Sequence, residues 1–238
     1  MEKEFIEQVS IDCVIFGYRE RKLYVLVLTL KNANNLRVLP SGYVGQEEDI
    51  DFVTQRVLET RIGLTDAYVE QFYTFGKAGR STKEEMESLD IQGQIYSSAK
   101  LQDFKQWATR RFISVGYYAL VDMEKASPQV SGIDESCEWL EVDDLPKLAF
   151  DHNEMVMKAF ETLQVMLDPK RLAFKLLPET FTMKDMQDVY ETVLKEPFRR
   201  NNFQKKMLDF NILERLEKKF TGTANKPPYL YRVLPKEV

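Results

Sequence analysis

The stretch Leu39 to Leu64, LPSGYVGQEEDIDFVTQRVLETRIGL, constrains this chain more than any other, because it reads as a glycine loop running straight into one amphipathic helix. Asp49 stands where an N-cap belongs, and Ile50, Val53, Val57, Leu58 and Ile62 recur near the 3.6-residue period of a buried stripe. Gly63 supplies the stop, since helix ends favour a left-handed residue that glycine adopts without steric cost.

Around that unit the pattern is mostly strand. Residues 8–18 and 23–30 are apolar runs separated by Arg19, Glu20, Arg21 and Lys22, which predicts a hairpin with a central, doubly covered second strand. Short strands are expected at 36–39 and 138–142, and longer ones at 67–75 and 110–121, the last with the strongest β pattern in the chain. A polar turn is expected at 32–35. A helix is expected from Asp151 to about Leu167, with Asp151 and Glu154 spaced as a capping box and Phe150 as a hydrophobic staple. Between the strands at 67–75 and 110–121, residues 81–108 read as an insertion that either shapes a binding site or decorates the surface.

The loop and helix resemble the Nudix signature at Gly42, Glu48, Arg56, Leu58, Gly63 and Leu64, with Leu39 and Pro40 leading in. The resemblance implies a Nudix-like α/β/α sandwich with a mixed sheet. It breaks where the family carries metal-binding glutamates, because Val57, Thr60 and Arg61 occupy those positions. Their i, i+3, i+4 spacing puts them on one helical face, and a guanidinium there repels the divalent ion that hydrolysis requires. Sensing without catalysis is the expected outcome, with no metal site, no catalytic residues and no cofactor. A hydrolase of ADP-ribose-like substrates is the competing reading.

A formal net charge of -5 argues against nucleic acid as a partner, but its distribution reverses that argument. Residues 1–165 hold 18 Lys/Arg against 28 Asp/Glu, whereas residues 196–236 hold ten against four. The Asp168-Pro169 step divides the chain into modules 1–167 and 168–238. In the second, helices are expected from Leu172, from Thr182 as N-cap with Asp185 at its third position, and from Arg199, followed by a basic hairpin. The third helix opens on Arg199, Arg200, Asn201 and Asn202, residue types that read guanine and adenine edges in a major groove. It is expected to turn Phe203, Met207 and Leu208 inward and Lys205 outward. Lys206, Lys218, Lys219, Lys226 and Arg232 complete the candidate DNA contacts, Lys226 near a wing tip. A phosphate clamp for RNA or an adaptor surface is the competing role for this tail.

LAFDHNEMV at 148–156 and LLPETFTMKDMQDVYETVLKEPFRRNNFQKKML at 176–208, behind a Nudix-like module, resemble the bacterial Nudix-related transcriptional regulators. This implies an α+β chain with a C-terminal winged helix-turn-helix, acting as a homodimer on double-stranded operator DNA and responding to a small effector. Candidate effector contacts are Arg19, Lys77, Arg80 and Arg111 as cations, Phe75 and Tyr117 as stacking surfaces, and Glu48 and His152. His152 is the sole histidine, so a histidine-based zinc cluster is excluded. Because the family's arginine element is interrupted after Arg80, the expectation leans to a sugar-catabolism repressor released by a pentose such as L-arabinose. ADP-ribose and nicotinamide cofactor metabolism form the alternative.

Hydrophobic residues at 44% and charged residues at 30% fit a folded globular chain. No apolar run approaches the roughly 18 residues of a membrane span and no signal peptide is apparent, so a cytoplasmic location is expected. Cys13 and Cys137, in strand-like apolar settings, are expected as free thiols.

Overall fold

The strand β1 (Phe5–Arg19) organises the first module. A computed structural model describes residues 4–31, 35–80, 107, 110–219 and 227–234. Along one edge, β1 runs parallel to β6 (Ile113–Asp122), from the Val9 and Ile113 pair to the Tyr18 and Asp122 pair. Along the other it meets two antiparallel partners in turn: β4 (Ser41–Gly45) beside its first half and β2 (Lys22–Leu30) beside Phe16–Arg19. The sheet forks between them, and there the Pro40 carbonyl accepts a bond from the Cys13 N–H at 2.8 Å. Beyond the fork β2 pairs with β3 (Arg37–Val38) and, on its far edge, with β7 (Asp134–Glu141). The strand β5 (Tyr68–Phe75) lies antiparallel to β6 and closes the other side.

Strand alternation sorts this sheet into two faces. Ile11, Cys13, Ile15, Tyr117, Ala119 and Val121 face α1 (Ile50–Ile62), burying Val53, Val57, Leu58 and Ile62. Val14, Phe16, Tyr118 and Leu120 face α2 (His152–Met166), meeting Met155, Val156, Ala159 and Leu163. This is the expected α/β/α sandwich. Gly42 lets β4 approach the helix, for a methyl group there would meet Val53 and Val57 at 3.0 Å. Gly63 ends α1 at φ 70°, donating its N–H to the Glu59 carbonyl. Both cysteines are free.

Local expectations fail where tertiary partners compete. Ile50 is 38% exposed and lies off the buried stripe. Asp49 is the N-cap by position, but its side chain makes no capping bond. At α2 the capping box of Asp151 and Glu154 does not form, because Asp151 pairs with Arg80 and Glu154 with Lys77. Asn153 ties down this turn instead, accepting from Leu148 N–H at 2.7 Å and donating to the Pro146 carbonyl at 3.0 Å. The loop read over 39–49 contains β4, hidden in the sequence by two glycines. The expected turn at 32–35 falls largely outside the described residues, as does the 81–108 insertion apart from Trp107.

The second module comprises β8 (Phe181–Thr182), α3 (Met183–Leu194), α4 (Arg200–Asp209), β9 (Leu213–Lys218) and β10 (Tyr229–Val233), with a small sheet ordered β8-β10-β9. Thr182 caps α3 as anticipated, accepting from Asp185 N–H, and Asp185 returns the bond by accepting from Thr182 N–H. The helix expected from Leu172 is only a 3₁₀ turn, Leu172–Lys175, which packs on α3 together with α2. Val189, Tyr190, Val193, Phe203 and Met207 belong to the same apolar cluster as α2 and its sheet face, so the packing does not break at Asp168.

Glu70 on β5 helps to bind the modules together. It accepts from the Tyr118 hydroxyl at 2.9 Å and from Tyr68, and it pairs with Lys170 beyond α2. Burial pushes its carboxyl up, but the bonds from Lys170, Tyr68 and Tyr118 outweigh that and hold it below its ordinary 4.5. A depressed folded value adds stability above pH 4.5 that is lost as pH falls through the folded value. Urea unfolding of Glu70→Gln is therefore expected to lose less stability than the parent on acidification from about pH 6 to pH 3. Identical pH slopes would refute this role.

Candidate functional site

The helical face that would carry a metal ion has been rebuilt as structure. Val57 is buried under the sheet, Thr60 is exposed, and the Arg61 guanidinium pairs with Asp134 of β7. Asp134 is fully buried, and the same carboxylate oxygen accepts from Ser131 N–H and hydroxyl at 3.0 Å. Loop 127–129 covers the helix end, with Ser127 and Gln129 N–H groups donating to the carbonyls of Ile62 and Arg61. Glu48, the retained acidic residue, accepts from Gly45 N–H at 2.9 Å and pairs with Arg56 at 3.0 Å. Among the described residues no three His, Cys, Asp or Glu side chains are grouped to hold a metal ion. Where the Nudix signature carries metal-binding glutamates, this helix face presents a valine, a threonine and an arginine, which offer a divalent ion no carboxylate.

An open groove of roughly 680 Å³ lies beside the start of α1, lined by Ile6, Glu48, Asp51, Gln55, Gln71 and Tyr117 among others. Burial, with the bond its hydroxyl donates to Asp51 at 3.1 Å, pushes the Tyr117 phenol up to about 12. Its lining offers acceptors and amides that suit hydroxyl groups.

Of the eight candidate effector residues, only Glu48 and Tyr117 meet in this groove. A second group surrounds the Gly76–Arg80 loop and the start of α2. Arg80 is turned inward with its side chain 8% exposed, forming a two-pronged bond to Asp151 at 2.9 and 3.0 Å and lying 3.7 Å from Asp12. Ser114 donates to Asp12, and His152 accepts the Leu39 N–H on Nδ1 at 3.0 Å with Nε2 3.7 Å from Asp12. Lys77 bonds Glu154 at 2.6 Å, and Arg111 bonds the Gly76 carbonyl at 2.5 Å. Phe75 is buried against Phe72 and Tyr73, and Arg19 sits over the Tyr24 ring at the far end of β1. Phe75 therefore offers no open stacking face, and Arg80 no unpaired charge. Asp12 was missed, although an aspartate inside the apolar run VSIDCVIF was a legible anomaly.

In the second module Arg199, Arg200, Asn201, Asn202 and Lys205 are exposed at the start and outer side of α4, while Phe203 and Met207 are buried. One expectation fails here, for Leu208 is 40% exposed. Lys206 is half-exposed and pairs with Asp168 over the Tyr190 ring. On the wing, Arg215 and Lys218 flank the Tyr229 ring at 4.5 and 5.4 Å, and Arg232 pairs with Glu214 at 2.7 Å. Lys219 donates its backbone N–H to Pro228 at 2.8 Å, and Lys226 lies outside the described residues. Arg215 was missed because β9, polar at alternate positions, gave little strand pattern. Trp107, 2% exposed among Phe5, Tyr43 and Phe112, packs against β1 and β4.

Residues 173–233 match the family model for the NrtR DNA-binding winged helix domain. The chain is a Nudix-like module fused to a winged helix. Shewanella oneidensis NrtR, in a crystal structure with a 27mer DNA, superposes with a TM-score of 0.71 at 23% identity, over 95% of this chain and 94% of that one. A MutT/nudix family protein from Enterococcus faecalis superposes at 0.67 and 18% identity, over 96% and 86%. A curated relative from Acinetobacter baylyi, an ADPR responsive transcriptional repressor, is 25% identical over 231 residues, 94% of this chain and 81% of its own. That relative overturns the sugar-catabolism expectation. The lean to L-arabinose rested on the interruption after Arg80, yet Arg80 is committed to Asp151 and carries no information about an effector.

The Arg61 and Asp134 pair opposes a return of glutamate to this face. Arg61→Glu, which restores the family's residue, would place a second carboxylate against a fully buried one. It is expected to cost about 3 to 5 kcal/mol in urea unfolding and to yield no Mg²⁺-dependent ADP-ribose hydrolysis. Wild-type stability, or turnover near 1 s⁻¹, would contradict this account.

Proposed function

We propose that this chain is an ADP-ribose-responsive transcriptional repressor of nicotinamide cofactor metabolism, acting in the cytoplasm as a homodimer. Residues 1–167 form the effector-binding module and residues 168–238 the DNA-binding module. The observation that carries this reading is the similarity to an ADP-ribose-responsive repressor along both modules, and the Arg61 and Asp134 pair on the signature helix supports sensing over hydrolysis. A sensor that cleaved its effector would erase its own signal. Support for DNA as partner comes from the matched winged helix and from α4, whose first turn exposes Arg200, Asn201 and Asn202. The wing adds Arg215 and Lys218 for phosphates. Among the described residues no helix is long and apolar enough to cross a membrane. Effector and operator are linked only if ADP-ribose binds the free and DNA-bound forms with different affinity.

The deciding experiment selects an operator duplex from a random pool and follows it by fluorescence anisotropy at fixed salt. Saturating ADP-ribose is expected to weaken operator binding about 5- to 150-fold, with two chains per duplex. Unchanged affinity would sink the effector assignment, and one chain per duplex the dimer. In the same assay Arg200→Ala is expected to lose about 1 to 3 kcal/mol on the operator and far less on a random duplex. Equal losses on both would remove Arg200 from base reading.

A further inference from the structure

The loop joining β1 and β2 is two residues long, Glu20 and Arg21, between the paired Arg19 and Lys22. Both have positive φ, 50° and 62°, as a type I′ hairpin turn requires and as glycine or asparagine provide most readily. Arginine is a strained choice there, and its side chain is used elsewhere. It reaches out of the first module to α3, lying 3.4 Å from Asp188 and 3.2 Å from Glu191, while its carbonyl accepts from the buried Thr192 hydroxyl at 3.1 Å.

Glu191 passes this contact on. Its other carboxylate oxygen accepts the Phe198 N–H at 3.0 Å and a Gln187 amide bond at 2.8 Å, and Gln187 also donates to the Phe198 carbonyl at 2.9 Å. Both backbone polar groups of Phe198 are thus held by α3, the N–H by Glu191, which the hairpin grips, and the carbonyl by Gln187, which is bonded to Glu191. Phe198 immediately precedes Arg199, the N-cap of α4, and its ring packs on Tyr190 and Phe203.

We propose that Arg21 is a positioning residue for DNA recognition, through which the hairpin of the Nudix-like module sets the tilt of α4. This rests on the DNA-binding reading above. The hairpin prolongs β1 and β2, so a shift in the sheet reaches α3 directly, without passing through α2 and the chain at Asp168. The Arg21 side chain is 59% exposed, and an ion pair so open to solvent adds little stability. Its loss changes geometry more than it changes folding.

The test uses the full chain with Arg21→Gly, which suits the left-handed turn and removes the contact, and with Arg21→Lys, which keeps the cation. Arg21→Gly is expected to melt like the parent yet to lose about fivefold or more of the preference for the selected operator over a random duplex, with partial recovery in Arg21→Lys. A wild-type preference in Arg21→Gly would overturn the proposal. Should Arg21→Gly melt lower, Glu191→Gln keeps an acceptor for the Phe198 N–H while removing the charge that Arg21 holds, and the same comparison applies. If the parent itself shows no operator preference, the DNA-binding reading has failed. Amide exchange at Phe198 then decides the positioning role: faster exchange in Arg21→Gly supports it, and parental exchange overturns it.

Discussion

The parallel pairing of β1 with β6 is the constraint on which the rest of the molecule depends. Ten consecutive partners, from Val9 and Ile113 to Tyr18 and Asp122, lock two strands that are about a hundred residues apart in sequence. Because side chains alternate across a strand, this single register sends Tyr117 towards α1 and the groove, and Tyr118 towards α2 and the bond to Glu70. A slip of one residue would exchange the two faces. It would put Tyr117 into the core shared with the winged module and Tyr118 into the groove.

Charge burial explains how two of the arginines are used. Removing one member of a buried ion pair leaves the other desolvated and unpaired, so such pairs persist once formed. Arg61 with Asp134 occupies the helical face where the Nudix signature places glutamates, and Arg80 with Asp151 and Asp12 fastens the loop after β5 to the start of α2. Each arginine looked like a ligand contact or a lost catalytic position when read along the chain. Each is a strut between elements far apart in sequence.

The winged module is an extension of the first module's core. Its α4 is held near both ends by groups outside the helix: at its start through Phe198, Glu191 and Arg21, and towards its end through Lys206 on Asp168 and Phe210 beneath Arg171. These side-chain contacts, added to the apolar packing of Tyr190, Phe203 and Met207, leave Arg200, Asn201 and Asn202 exposed on a helix tied to the first module.

Sequence alone determined the elements whose information is local. Periodicity gave α1 with Gly63 as its stop, the Thr182 cap opened α3, and the Arg and Asn residues before Phe203 marked the start of α4. It also showed that Val57, Thr60 and Arg61 stand where the Nudix signature has glutamates, which depends only on residue identity. Tertiary structure decided whatever depended on competition between partners. Asp151 would cap α2 if it were isolated, but a buried guanidinium is a stronger claimant than a backbone N–H, so Arg80 takes it. Lys206 follows the same logic towards Asp168, and Asp12, Glu70 and Arg21 gained their roles only when strands distant in sequence came into register. Hydrogen bonds and ion pairs act over a few ångströms of space, and linear spacing records that distance only within a helix turn or a hairpin.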